Sequence, residues 1–507
     1  MFIRQKRNKS GSTSVQIISK EGGKYKVIKS LGHSSSQEGI TKLLQSANES
    51  ISEMQNTQSI FSYINDELLE NMITELSNSS IRTVGPELVF GRIYDSIGFD
   101  ILEEELFRHL VIARLAYPLS KLKTIEYLYR YQGISIEIDK VYRFLDKLSG
   151  SLKSRIEQIA YAHSKKILGG NINVVFYDMT TLYFESSDED DLRRTGFSKD
   201  GKHSNPQIYL GLLVGTGGYA IGYDIFEGNI YEGHTLIPFL DSIRKKFDLS
   251  NPIVVADAGL LSQNNIKELK KREYEYIIGS RLKNESESIK QQIMSLELKD
   301  GLSRCIIRPN ADRLIITYSS KRATKDAHNR KRGLQRLEKQ IRAGKLTKSN
   351  INNRGYNKYL RMDGEIKIEI DYDKYEEDKV WDGLKGYITN SNLSDSEVIE
   401  NYKNLWYIER AFRMSKTDLR IRPIFHRIRN RIEAHICIAF TAYCIYKELE
   451  RVLKNEKSKL SLKKASDITH NIYELTYRLP NANITKSRLL KMDKQQIELY
   501  GIIQKYF

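Results

Sequence analysis

Ile172-Asn173-Val174-Val175-Phe176-Tyr177-Asp178 is the stretch on which the fold turns. A short β-branched and aromatic run reads as a buried strand, and this one runs into a carboxylate. Pro252-Ile253-Val254-Val255-Ala256-Asp257 repeats the pattern. Between them, Ile208 to Gly215 and Tyr219 to Phe226 read as strands joined by Thr216-Gly217-Gly218, a hairpin. Thr235 to Phe247 reads as a helix. Ser262 caps another helix to about Arg272, and Tyr274 to Gly279 is one more strand. The order β, β-hairpin, α, β, α, β predicts an α/β fold, a mixed sheet with helices on its faces.

A charge at the tip of an apolar strand is costly unless it is solvated, paired or metal-bound. Strand tips at the edge of an α/β sheet are also where ligands bind. Singly, Asp178 and Asp257 read as turn aspartates. Together, on strands that can be adjacent, they read as a site. A third carboxylate, Glu409, lies in a helical pattern at about 395–417. There Tyr402, Leu405, Glu409 and Lys416 stand at offsets 0, 3, 7 and 14, within roughly 60° of one another. The plainer reading is a solvated glutamate pairing with Arg413. Three carboxylates also supply the hard oxygen ligands that a pair of Mg²⁺ ions needs, with no histidine required.

Outward from this core, Ser14 to Ser19 and Lys24 to Lys29 alternate around Glu21-Gly22-Gly23, a hairpin signal after a polar, mobile start. Residues 34–60 are polar, helical or loose. From 96 to 165 the pattern is helical. Pro118 ends one helix, Ser120 caps a second, and a third holds Val141, Phe144, Leu145 and Leu148. Arg108, Arg114, Lys121, Lys123, Arg130, Lys140, Arg143 and Lys147 read as basic outer faces, which fit a helix-turn-helix-like module or an ordinary bundle with solvated lysines. Residues 281–385 hold short strands at 305–307, 314–318 and 365–370 around a basic helix. A return strand at 386–390 and a helix at 430–451 follow. The tail after 452 is Lys-rich and helical.

Composition bounds the class. The 507 residues carry 81 Lys+Arg against 64 Asp+Glu, a net +17, which fits a polyanion partner. The longest nearly apolar run, Ile436 to Tyr446, is half of what a membrane helix needs. Three cysteines, none in a CxxC pair, make neither a disulfide framework nor a zinc site. The expected setting is intracellular and reducing, with no membrane.

An ordered set of motifs then resembles a known family. It comprises Tyr177 to Glu185, Gly196 to Lys202, Asn205-Pro206-Gln207, Phe226 to Asn229, Ala256-Asp257-Ala258-Gly259, Thr389-Asn390 and Ile408 to Arg413. The chain resembles the DDE transposases of bacterial insertion sequences, in the group with a Tyr-x2-Arg-x3-Glu-x6-Lys signature. Tyr402, Glu409 and Lys416 match it; Leu405 stands where the signature has arginine. The resemblance is strong over about 170–445 and looser before it.

The resemblance implies an RNase H-like core at 169–280 plus 386–451, interrupted by a β-rich insertion at 281–385. An N-terminal hairpin segment (1–60), a helical DNA-binding domain (61–168) and a C-terminal helical tail (452–507) complete the expected division. Asp178, Asp257 and Glu409 become the catalytic and metal-binding triad, with Mg²⁺ as cofactor at a two-metal site and Mn²⁺ as substitute. The implied reaction is nicking at an element end, then attack of the 3′-OH on target DNA. Tyr402 and Lys416 become phosphate contacts. The implied partners are double-stranded DNA, as terminal inverted repeats and as target, and a second copy in a synaptic homodimer. The implied location is the bacterial cytoplasm, at the nucleoid.

Further contacts follow from charge. Lys321 to Lys345 carries a net +8, including Lys321, Arg322, Arg330, Lys331 and Arg332. Arg410 to Arg431 carries +7, including Arg413, Arg420 and Arg422. Both read as DNA-facing surfaces. Lys202 and His203 read as further phosphate contacts, Arg143 as one from the helical region, and His234 as a solvent-facing histidine near the core. The acidic run Glu185 to Asp191 reads as a solvated loop. Trp406 reads as a core residue, with stacking on an extruded base as its other role. Two other classes fit less of the pattern: an element-derived DNA-binding regulator that no longer cuts, and another RNase H-like nuclease.

Overall fold

The computed structural model describes residues 1–507 except 22, 56–69, 72, 199, 200, 248, 250, 261, 353, 354, 364–366 and 480–483. Gly22 of the predicted hairpin turn, the end of the 34–60 segment, Lys199 and Asp200 of the Gly196–Lys202 motif, and the start of the 365–370 strand lie outside the described residues. The chain divides into two units: Met1–Arg82 with Tyr473–Leu490, and Thr83–Ile472 with Lys491–Phe507.

In the first unit, β1 (Phe2–Arg7), β2 (Thr13–Glu21) and β3 (Lys24–Ser34) form an antiparallel sheet in that order. The predicted hairpin is β2–β3, closing at Glu21↔Lys24. The start is ordered rather than mobile: Ile3 of β1 packs on Val15, Ile17 and Ala47 under helix α1 (Gln37–Gln55). β4 (Ile81–Thr83), β15 (Tyr473–Leu479) and β16 (Ile484–Leu489) form a second small sheet. The tail is thus not all helix. Tyr473, Leu475, Tyr477 and Leu479 alternate with polar residues, a period of two that the lysine content masks.

The second unit is built on an eight-stranded mixed sheet, in the order β10-β11-β14-β9-β8-β5-β6-β7. Its strands are β5 (Val174–Tyr183), β6 (Gln207–Gly215), β7 (Ala220–Glu227), β8 (Ile253–Ala256), β9 (Tyr276–Ser280), β10 (Ser303–Ile307), β11 (Arg313–Tyr318) and β14 (Leu384–Thr389). β5, β8 and β9 are mutually parallel; the others pair antiparallel. This agrees with the α/β reading and the predicted strand order. The β-rich insertion needs correction. β10 and β11 extend the central sheet through β14, because Leu314, Ile315 and Ile316 are buried on both faces. Only β12 (Leu360–Asp363) and β13 (Lys367–Ile370) form a separate small sheet.

Helices α2 (Glu105–Ala116), α3 (Lys121–Tyr127), α4 (Ile138–Lys147) and α5 (Lys153–Ile167) match the predicted helical region. Ser120 caps α3 by accepting from Lys123 N at 3.3 Å. The basic faces are outer at Lys123, Arg130, Lys140, Arg143 and Lys147, which are exposed, and not at two positions. Arg114 and Lys121 are buried, Arg108 pairs with Glu87 and Asp95, and Lys147 pairs with Glu104 at 2.6 Å.

One sheet face is covered by α6 (Leu236–Phe247) and α7 (Gln263–Lys271). Ser262 caps α7, accepting from Asn265 N at 3.0 Å. The basic helix is α8 (Ser320–Arg342). The other sheet face is covered by α9 (Asp395–Lys403), α10 (Trp406–Arg413) and α11 (Arg429–Asn455), a helix buried along most of its length. No described helix is long and apolar enough to cross a membrane.

Candidate active site

The two aspartates meet through strand register. β5 and β8 run parallel with Phe176 beside Val255 and Tyr177 beside Ala256. One step further along both strands lie Asp178 and Asp257, on strands about 4.8 Å apart. Side chains alternate, so Asp178 shares a face with Phe176, and Asp257 shares one with Val255. Phe176 and Val255 belong to the core cluster under α10 and α11. Both carboxylates therefore face the helical layer that carries Glu409. Asp178 is in mid-strand, not at a tip as its sequence context predicts: β5 continues to Tyr183.

The same row continues across the sheet. Val255 pairs with Ile277 and Ala256 with Ile278, so Asp257 is followed by Gly279 of β9, which pairs with Tyr387 of β14. Tyr402 lies over this row. Its hydroxyl donates to Asp257 Oδ1 at 3.1 Å, and its ring meets Tyr387 edge-on at 4.9 Å. Gly279 makes this possible: a Cβ there would sit 2.3 Å from the Tyr402 oxygen. Burial and the Asp257 charge push the Tyr402 phenol up, so it stays a donor.

Lys385 of β14 completes the electrostatics. Its ammonium lies 4.5 Å from the Tyr402 ring centre. Burial lowers its pKa, as do Arg322 and Lys403, against the pull of Asp257 and Glu409. Lys385 therefore feels both carboxylates. Nothing in the sequence singles it out; only the β14 register does. A cleft of about 500 Å³ opens beside Asp257 and Tyr402, lined also by Lys385, Arg322 and Trp381.

Glu409 is exposed on α10. The predicted continuous helix is broken: α9 ends at Lys403, Asn404 caps it, and α10 starts at Trp406. Tyr402 and Glu409 thus sit on different helices. Leu405, in the arginine position of the signature, is buried in the core at the break. Lys416 falls in a π-helical turn, Met414–Asp418.

Two aspartates side by side offer hard oxygen donors that fit a divalent ion. Among the described residues, however, no group of three His, Cys, Asp or Glu side chains is set to hold a metal. The structure brings the two aspartates together and does not gather Glu409 with them.

The basic residues divide. On α8, Lys321, Arg322, Lys331 and Arg332 are exposed, while Arg330 is buried and pairs with Asp382. In the second basic window, Arg410 pairs with Glu450, Arg427 with Asp188 at 3.4 Å, Arg429 with Glu433 at 3.2 Å and Arg431 with Asp146 at 2.8 Å. At least four of its eight cations are therefore neutralised by acids beyond it, and the window is not one free surface. Arg413 and Arg420 are exposed. Lys202 and Arg422 converge on the Tyr183 ring, at 5.4 and 5.7 Å. His203 is exposed and accepts from Ser198 N at 3.4 Å through Nδ1. His234 is exposed. Trp406 is 44% exposed under the Arg410 guanidinium, not a core residue. Beyond the Asp188–Arg427 pair, the acidic loop makes local contacts: Asp190 holds Arg193, and Glu189 accepts from Thr195 N.

A family model described as the transposase DDE domain matches residues 169–445, over half of the chain. The chain belongs to this transposase family. The matched span opens just before β5 and closes within α11, so it takes in the aspartate row, the cleft and α10 of the transposase. No curated protein matches. Among solved structures, a piggyBac transposase synaptic complex with hairpin DNA matches at 11% identity and a TM-score of 0.36. The match covers 76% of this chain and 78% of that one.

Proposed function

We propose that this transposase cuts DNA at the ends of a bacterial insertion sequence and joins the freed 3′ ends to target DNA. Its RNase H-like core would act through Asp178, Asp257 and Glu409. The observation that carries the reading is the register of β5 and β8, which sets two carboxylates side by side beneath the helix bearing the glutamate.

In this reading Asp178 and Asp257 hold Mg²⁺, or Mn²⁺ in its place, and Glu409 joins them when DNA is bound. The ions supply an activated water or 3′-OH and stabilisation of the leaving oxygen. The chain's own residues do the rest. The Tyr402 hydroxyl fixes the Asp257 carboxylate in one orientation and so is committed to the protein, not to phosphate. Lys385 balances the carboxylates and attracts the DNA backbone to the cleft. The exposed cations of α8, with Arg413, Arg420, Lys416, Lys202 and His203, follow the phosphates outward. Two ends must be joined, so two copies act in one synaptic complex.

The test uses the inverted repeats flanking the gene as duplex substrates, with Mg²⁺. Asp178→Ala, Asp257→Ala and Glu409→Ala should each abolish cleavage while end binding survives within a few-fold. Cleavage at the wild-type rate by any of the three would sink the assignment.

A further inference from the structure

A second basic pocket lies away from the aspartates. It has a volume of about 360 Å³ and sits between the α2–α3 corner and the Arg420–His426 loop. Arg114, Lys121, Arg420, Arg422, His426 and His435 line it, and no aspartate or glutamate does. Arg114 and Lys121 are each 5% exposed and His435 is 6% exposed. Proteins bury lysine and arginine when an acid or a full set of hydrogen bonds compensates them. Here compensation is thin. Arg114 donates to the Leu419 carbonyl at 3.4 Å, and His435 Nε2 donates to the Ile421 carbonyl at 2.9 Å. Lys121 has no hydrogen bond or ion pair among the described residues, and burial first, then the Arg114 charge, work against its ammonium form. The carboxylate nearest in the electrostatics, Asp146, is engaged by Arg431. Among the described residues no acid compensates Lys121.

An anion that fits here has a definite chemistry. Three guanidinium groups, a lysine and two imidazoles around one small space offer more donors, from more sides, than the two oxygens of a carboxylate can accept, and a tetrahedral oxyanion can take them up. The position indicates its source. Ile424 N donates to the Tyr183 carbonyl at 3.1 Å, which ties the loop to the far end of β5. Tyr183 is five residues beyond Asp178, about 17 Å along the strand, or about five base-pair steps of duplex. Phe425, 68% exposed, stands at the rim.

We infer that this pocket is a phosphate site, and that it seats one backbone phosphate of bound DNA about half a helical turn from the cut. The DNA half of the inference rests on the proposed function; the phosphate half does not.

The test compares full-length wild type with Lys121→Met and Lys121→Arg. Melting is followed with inorganic phosphate, and binding of the element-end duplex is followed against salt. Wild type should melt higher as phosphate is added. Lys121→Met should melt above wild type without phosphate, since it removes an uncompensated charge, and should lose the phosphate response. It should also lower the salt slope of end binding by about one. Lys121→Arg should restore both. Independently of any variant, a neutral methylphosphonate walked along the duplex should weaken wild-type binding about tenfold at one position near the fifth step.

An unchanged melting temperature of wild type in phosphate overturns the site, whatever the cleavage assays give. A phosphate response that Lys121→Met abolishes, with the salt slope intact and no sensitive duplex position, overturns the DNA assignment and leaves a site for free phosphate.

Discussion

The Tyr402 hydroxyl reaches Asp257 Oδ1, 3.1 Å away, only because the residue beneath it on β9 is Gly279. The glycine is not needed for its backbone angles. It is needed for the space that a methyl group would fill.

Gly279→Ala should therefore act on Asp257 at a distance. The new Cβ would displace the Tyr402 ring, and overpacking of this kind costs about 1–3 kcal/mol of stability. Tyr402→Phe keeps the ring and removes the hydrogen bond alone, at about 1 kcal/mol. Cleavage rate should fall in both and fall further in Gly279→Ala. Rates measured alongside melting temperatures check this; equal rates in all three proteins would deny Tyr402 a positioning role.

Restoring the family's arginine should do harm. Leu405 is 7% exposed, packed in the core between α9 and α10. Leu405→Arg would bury a charge without a partner, at several kcal/mol. We expect a sharply lower melting temperature and no gain in cleavage. A variant as stable as wild type and faster at cutting would show that the signature position faces the DNA.

Legibility in the sequence followed the range of the interactions. β5 to β9 were readable because buried strands announce themselves locally, and the Ser120 and Ser262 caps because a cap is made within three residues. The assignment of β10 and β11 failed because strand pairing through β14 is a long-range fact. The break at Asn404-Leu405 carries no proline or glycine, so the pattern reads as one helix where the structure has two. Lys385 and Gly279 were invisible because each matters through a neighbour on another strand. Arg114 and Lys121 looked like outer-face cations because charge is the usual mark of a solvent face.

Acid should weaken the fold through His426. Burial, then the charges of Lys121, Arg114 and Arg431, depress its pKa from 6.5 to about 4, against a small opposing effect of Asp146. The neighbouring His435 is likewise held neutral by burial. The unfolded chain takes up a proton below about 6.5 that the folded chain refuses until about 4. Stability is thus full above pH 6.5 and is lost progressively as pH falls towards 4, by at most about 3 kcal/mol for this group. Denaturant unfolding in phosphate-free buffer should show this loss, and His426→Gln should reduce it. An identical pH profile in the variant would assign the loss elsewhere.

The two basic windows should behave differently towards salt, although their formal charges of +8 and +7 are nearly equal. Each phosphate contact adds about 0.9 to the salt slope of duplex binding. Lys331 and Arg332 are exposed on α8, so replacing both with glutamine should lower the slope by about two with little change in melting temperature. Arg431 is bound to Asp146 through two hydrogen bonds, at 2.8 and 2.9 Å. Arg431→Gln should leave the slope unchanged and cost stability instead, since Asp146 loses the partner that holds its carboxyl below the usual range. The reverse pattern, with a slope change at Arg431 and none at α8, would mean that DNA breaks the internal ion pairs and binds along the second window.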